Sequence, residues 1–133
     1  MDRSKITSVR IPDTVTVIGV EAFARCSGLT YAELSDNVTS VGMGAFSECK
    51  ELTYMEIPGS LSVVPGVMFF KCEKLTHVKL GEGVKEIDSN AFWVCKALTD
   101  VELPESLRII GTSAFTDCSS LASLDIPDGV TGI

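Results

Sequence analysis

The chain has 133 residues, of which 45% are hydrophobic and 22% are charged, and its formal net charge at pH 7 is −7. The length predicts one domain, and the acidic balance argues against nucleic acid or an anionic membrane surface as a partner, because both require a basic face. No apolar run approaches the roughly 18 residues of a membrane span, so we expect no membrane insertion.

A row of 23 residues repeats through the chain. The rows run over 6–28, 29–51, 52–74, 75–97 and 98–120, with a partial sixth row over 121–133. A fixed period of this length is typical of a solenoid, in which each repeat buries its apolar face only by stacking on its neighbours. We therefore predict a single solenoid domain over 1–133.

Each row opens with a predicted strand. Apolar residues recur at positions four and six, Val9 and Ile11 in the first row, and this period of two is that of a strand with one buried face. Proline or a small residue at position seven, Pro12 in the first row, ends the strand. Apolar residues at positions ten and thirteen, Val15 and Ile18, predict a second extended segment that forms the opposite wall.

The last third of each row is predicted to form one helical or 3-10 turn. Its Phe and Cys, Phe23 and Cys26 in the first row, are three residues apart and so share one face of such a turn. The cysteines recur every 23 residues, so they stack in a column and do not converge on a metal ion. We predict buried free thiols and no metal site for the five cysteines, which are Cys26, Cys49, Cys72, Cys95 and Cys118.

The repeated phrase LxxVxIPxxVxxIGxxAFxxC, which covers residues 6 to 133, resembles the BspA-like (TpLRR-type) leucine-rich repeat. The resemblance implies an α/β repeat solenoid of the leucine-rich-repeat type. It would be a right-handed superhelix of about five and a half coils, each with a short strand, an extended segment and one helical or 3-10 turn. Rows three and four depart from the pattern, with Pro65 and Met68 in row three and Asp88 in row four, and we expect a local kink on the convex side there.

The family resemblance also carries an expected function. It implies a non-enzymatic protein-binding or adhesion module at the cell surface or in secreted form, with a partner such as a host surface or matrix protein. No catalytic or cofactor-binding residue is predicted, because the single histidine, His77, has no Ser or Cys placed beside it by the repeat.

Positions three and five of each first strand are predicted to point away from the core, and we call this surface the strand face. Three successive rows place two tyrosines and the histidine side by side, bordered by charged residues. These six candidate partner-binding residues are Tyr31, Tyr54, His77, Glu33, Glu56 and Lys79. Tyrosine offers a rigid contact area with a polar tip, which favours recognition. The alternative is that the aromatic residues only stabilise the sheet as cross-strand pairs.

A second candidate patch consists of Phe70 and Trp93, at position nineteen of rows three and four. Neighbouring exposed aromatic residues can mark an interaction surface. The alternative is that both rings lie over the adjoining coil and fill a gap in its packing.

The two ends of the sequence lead to a further expectation. Residues 1–5 carry charges without a following apolar stretch and do not form a secretory signal, so either the protein stays inside the cell or its signal and flanking repeats lie outside this sequence. The family resemblance implies the second. The sixth row stops at position thirteen, Ile133, and uncapped coils leave strand edges that can pair with another chain. Further repeats, or end-to-end stacking into oligomers or filaments, would cover these edges. Such stacking is the alternative function, that of a structural self-assembling repeat unit.

Overall fold

The computed structural model describes residues 2–133, which form a parallel β-solenoid with two columns of short strands. The first column consists of β1 (Ser8–Arg10), β3 (Tyr31–Glu33), β5 (Tyr54–Ile57), β7 (His77–Leu80) and β9 (Asp100–Glu102). The second column consists of β2 (Val17–Ile18), β4 (Ser40–Val41), β6 (Val63–Val64), β8 (Glu86–Ile87) and β10 (Ile109–Ile110). One 3-10 helix, Arg3–Lys5, is the only helix in the described part of the chain.

The strands of each column pair in parallel at an offset of one row. Tyr54 lies opposite His77 in the first column, and Val63 lies opposite Glu86 in the second. Both offsets are 23 residues, so the predicted solenoid, its coil length and its two extended segments per coil are confirmed. The partial sixth row adds one isolated bridge, from Gly132 to Ile109.

The core lies between the two strand columns and the turns, and it is built from the apolar columns of the repeat. Phenylalanines at position eighteen form a continuous stack with ring centroids 5.1 to 6.1 Å apart. The three inner rings, Phe46, Phe69 and Phe92, are fully buried. No polar or charged residue among residues 2–133 is buried, so apolar packing between coils dominates the stability of the fold.

The prediction of a helical turn in the last third of each row is wrong. Positions sixteen and twenty have left-handed backbone conformations in every full row, with φ of 53° at Glu21 and 60° at Arg25 in the first. Such residues interrupt a right-handed helix. Their N–H groups bond instead to the next coil, from Glu21 to Met43 O at 2.9 Å and from Arg25 to Ser47 O at 2.7 Å. The segment is therefore a pair of tight turns that contributes its own hydrogen-bond ladder between coils, which we call the turn ladder.

The cysteine column is buried and all five thiols are free, in agreement with the sequence-based prediction. From Cys49 onwards, each Sγ donates a hydrogen bond to the carbonyl oxygen of the Phe in the preceding coil, as from Cys49 to Phe23 O at 3.2 Å and from Cys72 to Phe46 O at 3.1 Å. Burial raises the pKa of the Cys49 thiol to about 12. A small side chain with a weak donor suits this position, because it fills the core and also satisfies a carbonyl group.

Both strand columns are interrupted between the second and third coils. In the first column, β1 pairs with β3, and β7 pairs with both β5 and β9. No backbone hydrogen bond in residues 2–133 joins β3 to β5. The same holds between β4 and β6. The turn ladder continues across this boundary, with the Phe46 N–H bonded to Met68 O at 3.0 Å. The Phe46 and Phe69 rings are 6.1 Å apart, the widest spacing in the stack. We call this boundary the joint.

Pro65, at position fourteen of the third row, removes one hydrogen-bond donor from the joint. The equivalent residues of the second and fifth coils, Gly42 and Gly111, donate their N–H to the preceding strand, at 2.8 and 2.7 Å. Proline has no N–H, so it cannot make this bond. Pro58 in the same row also lacks a donor. Pro104 occupies the same position as Pro58 in the fifth row, where β7 and β9 still pair, so position seven alone does not break the ladder.

Of the departures in rows three and four, only those in row three lie beside the joint. The local kink expected on the convex side stays a prediction, and the irregularity found at row three is the joint. Met68, which stands where the other full rows have Ala, is fully buried there. Asp88 in row four donates its N–H to Val64 O at 2.9 Å, and the pairing of β6, β8 and β10 is continuous.

Candidate binding surface

The first column of strands places the six predicted residues on one face of the solenoid. Tyr31 and Tyr54 begin β3 and β5, and their exposed fractions are 45% and 38%. His77 begins β7 and is half-buried, with its ring 5.3 Å from that of Tyr54. The charged members of the set, Glu33, Glu56 and Lys79, are exposed two residues further along the same three strands.

Each tyrosine is held by the glutamate two residues later on its own strand. Tyr31 Oη donates to Glu33 Oε2 at 3.1 Å, and Tyr54 Oη donates to Glu56 Oε2 at 3.4 Å. The hydrogen bond to Glu33 raises the pKa of the Tyr31 phenol, while burial and the charge of Glu56 raise that of Tyr54. Both phenols therefore remain hydrogen-bond donors at neutral pH, and each strand presents a ring with an oriented carboxylate.

His77 is held by two carboxylates of the following strand, which the sequence analysis did not find. Its Nε2 is 2.7 Å from Glu102 Oε2, and its Nδ1 is 3.1 Å from Asp100 Oδ2. The repeat register carried the signal, because Asp100 lies 23 residues after His77 and therefore stands beside it. The partners of His77 are thus acidic residues of the next row and not a Ser or Cys.

A groove of about 630 Å³ lies on the strand face at the joint. Tyr31 and Glu33 line it from the second coil, and Tyr54 and Glu56 line it from the third. His77 and Lys79 are not among its lining residues. Arg10 lines it from the first coil, and its Nε is 3.1 Å from Glu33 Oε2. The sequence analysis missed this groove, although Pro65 was a visible departure in the row that forms it.

The second candidate patch lies on the turn side. The Phe70 and Trp93 rings are 4.9 Å apart, and Phe70 is half-buried while 36% of Trp93 is exposed. Trp93 Nε1 donates to Asp117 Oδ2 at 3.3 Å, and Lys71 Nζ lies 5.2 Å from the centre of the Phe70 ring. The ring contact joins the third and fourth coils, and the Trp93 hydrogen bond joins the fourth coil to the fifth, so the patch contributes to packing between coils.

Parallel strand columns, a phenylalanine stack and an open strand face define the class of leucine-rich repeat solenoids. The sequence matches the family profile described as the BspA type leucine rich repeat region, in six copies over residues 1–121 and 85–133. The chain belongs to this family. No helix among residues 2–133 is long and apolar enough to cross a membrane.

Solved structures of bacterial proteins resemble the chain. A leucine rich cell surface protein from Faecalibacterium prausnitzii is 32% identical with a TM-score of 0.83, and the match covers 87% of this chain and 31% of that protein. The T. pallidum leucine rich repeat protein TpLRR is 26% identical with a TM-score of 0.68, over 89% of this chain and 66% of that one.

A leucine-rich repeat protein from Bacteroides ovatus is also 26% identical, with a TM-score of 0.67, over 97% of this chain and 46% of that one. The chain thus spans about a third of the length of the F. prausnitzii protein and less than half of the B. ovatus protein. The comparison with curated protein sequences finds no match.

Proposed function

We propose that this chain is a non-enzymatic protein-binding module that acts at the cell surface or in secreted form and recognises a partner protein through its strand face. The observation that carries the proposal is the row of Tyr31, Tyr54 and His77 on three successive strands. Aromatic side chains with polar tips contribute a large share of the energy at protein interfaces.

The electrostatics and the relatives support this proposal. The carboxylates of Glu33 and Glu56 line the groove on the strand face, and each accepts a hydrogen bond from the tyrosine of its own strand, which orients both groups for contact with a partner. The structurally similar F. prausnitzii protein is described as a cell surface protein. This likeness supports the proposed location.

The test compares two surface variants of the chain in binding to a panel of purified extracellular matrix and cell-surface proteins. The strand-face variant combines Tyr31→Ser, Tyr54→Ser and His77→Ser, and the turn-side variant combines Phe70→Ser and Trp93→Ser. We expect the first variant to lose at least tenfold in affinity for a bound partner, and the second to bind like the parent. Both should melt close to the parent, because exposed substitutions usually change stability little.

Three other results would count against the proposal. Binding that survives in the strand-face variant and is lost in the turn-side variant would move the site to the Phe70 and Trp93 patch. A parent chain that binds no member of the panel would remove the support for a binding role. Growth of the mass with concentration in light scattering, without any ligand, would favour the alternative of end-to-end stacking.

A further inference from the structure

The groove at the joint carries an excess of negative charge. Four carboxylates line it, those of Asp13, Glu33, Asp36 and Glu56, against the single cation Arg10. Arg10 is paired with Glu33. The other three carboxylates make no ion pair with any residue of the described chain. A groove with three uncompensated carboxylates favours a positively charged occupant.

The tyrosines define the shape of the group that fits this charge. Tyr31 and Tyr54 each present a ring beside a carboxylate whose position is set by a hydrogen bond from the phenol. A guanidinium group is planar, stacks on aromatic faces and binds carboxylates with two parallel hydrogen bonds. An ammonium group lacks this planarity. The Tyr54 ring beside the unpaired Glu56 carboxylate therefore matches arginine better than lysine. Beside Tyr31, Glu33 is already paired with Arg10, and the unpaired charge in the groove is that of Asp36.

The groove extends over the first three coils and crosses the joint between the second and the third. In the third and fourth coils Tyr54 and His77 stand on hydrogen-bonded strands, with the rings 5.3 Å apart. Tyr31 and Tyr54 stand on strands that share no backbone hydrogen bond. The interruption falls between the two strands that carry the tyrosine and glutamate pairs, and the lining of the groove spans it.

We infer that the groove at the joint binds a basic, arginine-containing segment of a partner protein. This inference rests on the proposed function, and it names the chemistry of the partner. The segment places arginine side chains beside Tyr31 and Tyr54, and their charges are neutralised by Asp36 and Glu56. Arg10 opposes this binding, because it is the one positive charge at the groove.

The test uses a fluorescent peptide of alternating serine and arginine with three arginines, measured by anisotropy at 50 mM NaCl. Two matched peptides replace arginine by lysine or by the neutral isostere citrulline. We expect the affinity to fall from arginine to lysine to citrulline. Glu56→Gln and Asp36→Asn should each weaken arginine-peptide binding by about tenfold. Arg10→Gln should strengthen it by about threefold, because a like charge is removed.

The matched control is Glu73→Gln, which removes the same unit charge from an exposed residue outside the groove. We expect it to change the affinity by less than about twofold. Equal losses in Glu73→Gln and Glu56→Gln would overturn the inference, because the peptide would then respond only to the overall charge of −7. Equal binding of the arginine and citrulline peptides would also overturn it.

The panel of extracellular proteins separates this inference from the proposed function. If the arginine peptide does not bind while a panel protein binds through Tyr31, Tyr54 and His77, the inference is wrong and the proposed function stands. If neither binds, both are wrong. A panel protein whose binding is lost in Glu56→Gln and competed by the arginine peptide would support both.

Discussion

Replacement of single phenylalanines in the stack by alanine tests the assigned core of the solenoid most quantitatively. Phe92 is fully buried between Phe69 and Phe115, with ring distances of 5.3 and 5.1 Å. Burial of a phenylalanine side chain contributes about 1.5 to 3 kcal/mol, and each stacked neighbour adds about 0.5 to 1.5 kcal/mol. Phe92→Ala should therefore lower the free energy of unfolding by about 3 to 5 kcal/mol, the usual cost of such a cavity.

The end of the stack provides the control. Phe23 is half-buried and has one stacked neighbour, Phe46, at 5.3 Å. Phe23→Ala should therefore cost about half as much as Phe92→Ala, or about 1.5 to 2.5 kcal/mol. Both values are a large fraction of the roughly 7 to 20 kcal/mol expected for a chain of this size.

Phe46→Ala tests the joint in the same experiment. Phe46 contributes to the packing across the joint, where the strand columns are not hydrogen-bonded. We expect a loss of about 3 to 5 kcal/mol together with a lower m-value, because the first two coils then unfold separately from the rest. The assay is urea unfolding followed by circular dichroism. Equal losses for Phe23→Ala and Phe92→Ala, or a loss below about 1 kcal/mol for Phe92→Ala, would refute the assigned core.

Three further predictions concern the thiols, a strained residue and the proline. Burial raises the pKa of the Cys49 thiol to about 12 and that of the Cys118 thiol to about 11. Above about pH 9 these thiols therefore lose their protons in the unfolded chain while they keep them in the folded one. The free energy of unfolding should be constant below about pH 9 and should fall between about pH 9 and pH 12. The thiols of the native protein should also react slowly with a thiol reagent. A flat alkaline profile or rapid labelling would contradict the buried column. Val67 is a β-branched residue whose backbone is in the left-handed region, with φ of 49°. The equivalent residue of the next coil is Asn90, and asparagine tolerates this conformation better than valine. Val67→Asn should therefore raise the free energy of unfolding by about 1 kcal/mol. A destabilised variant in urea titration would show that packing of the Val67 side chain outweighs its backbone strain. Pro65→Gly restores an N–H beside Val41 O and should slow amide exchange in β4 and β6 while weakening arginine-peptide binding. Unchanged exchange rates in that variant would mean that Pro65 does not cause the joint.

The period of the sequence was enough to predict the coils, both strand columns and the buried residues, because each of these features recurs at a fixed position of the row. The turns were mistaken for helices for a physical reason. Cys26 N–H does bond to Phe23 O three residues earlier, at 3.3 Å, as in a 3-10 turn. A hydrogen bond between residues three apart occurs both in a 3-10 helix and in the tight turns of this chain. Only the left-handed backbone at position twenty distinguishes the tight turns from the helix, and the spacing of Phe and Cys does not reveal it.

The candidate site was predicted in part. The alternation of the strand placed Tyr31, Tyr54 and His77 on the exposed face, and the structure brings them together as neighbours. His77 contacts Asp100 and Glu102 because their side chains are long enough to meet across two adjacent strands. The repeat pattern gives the order of the strands but not these side-chain conformations. The groove is lined by residues of three successive coils, so its shape appears only when the coils are stacked.

The central claim is that the groove on the strand face at the joint binds arginine-containing segments, and amide chemical-shift mapping of the isotope-labelled chain tests it most directly. The arginine peptide is titrated into the chain, with the citrulline peptide as the control. Shifts concentrated in Tyr31–Glu33 and Tyr54–Ile57, and absent with citrulline, are the result that we predict. Shifts concentrated around Phe70 and Trp93, or no saturable shifts on the strand face, would contradict the claim.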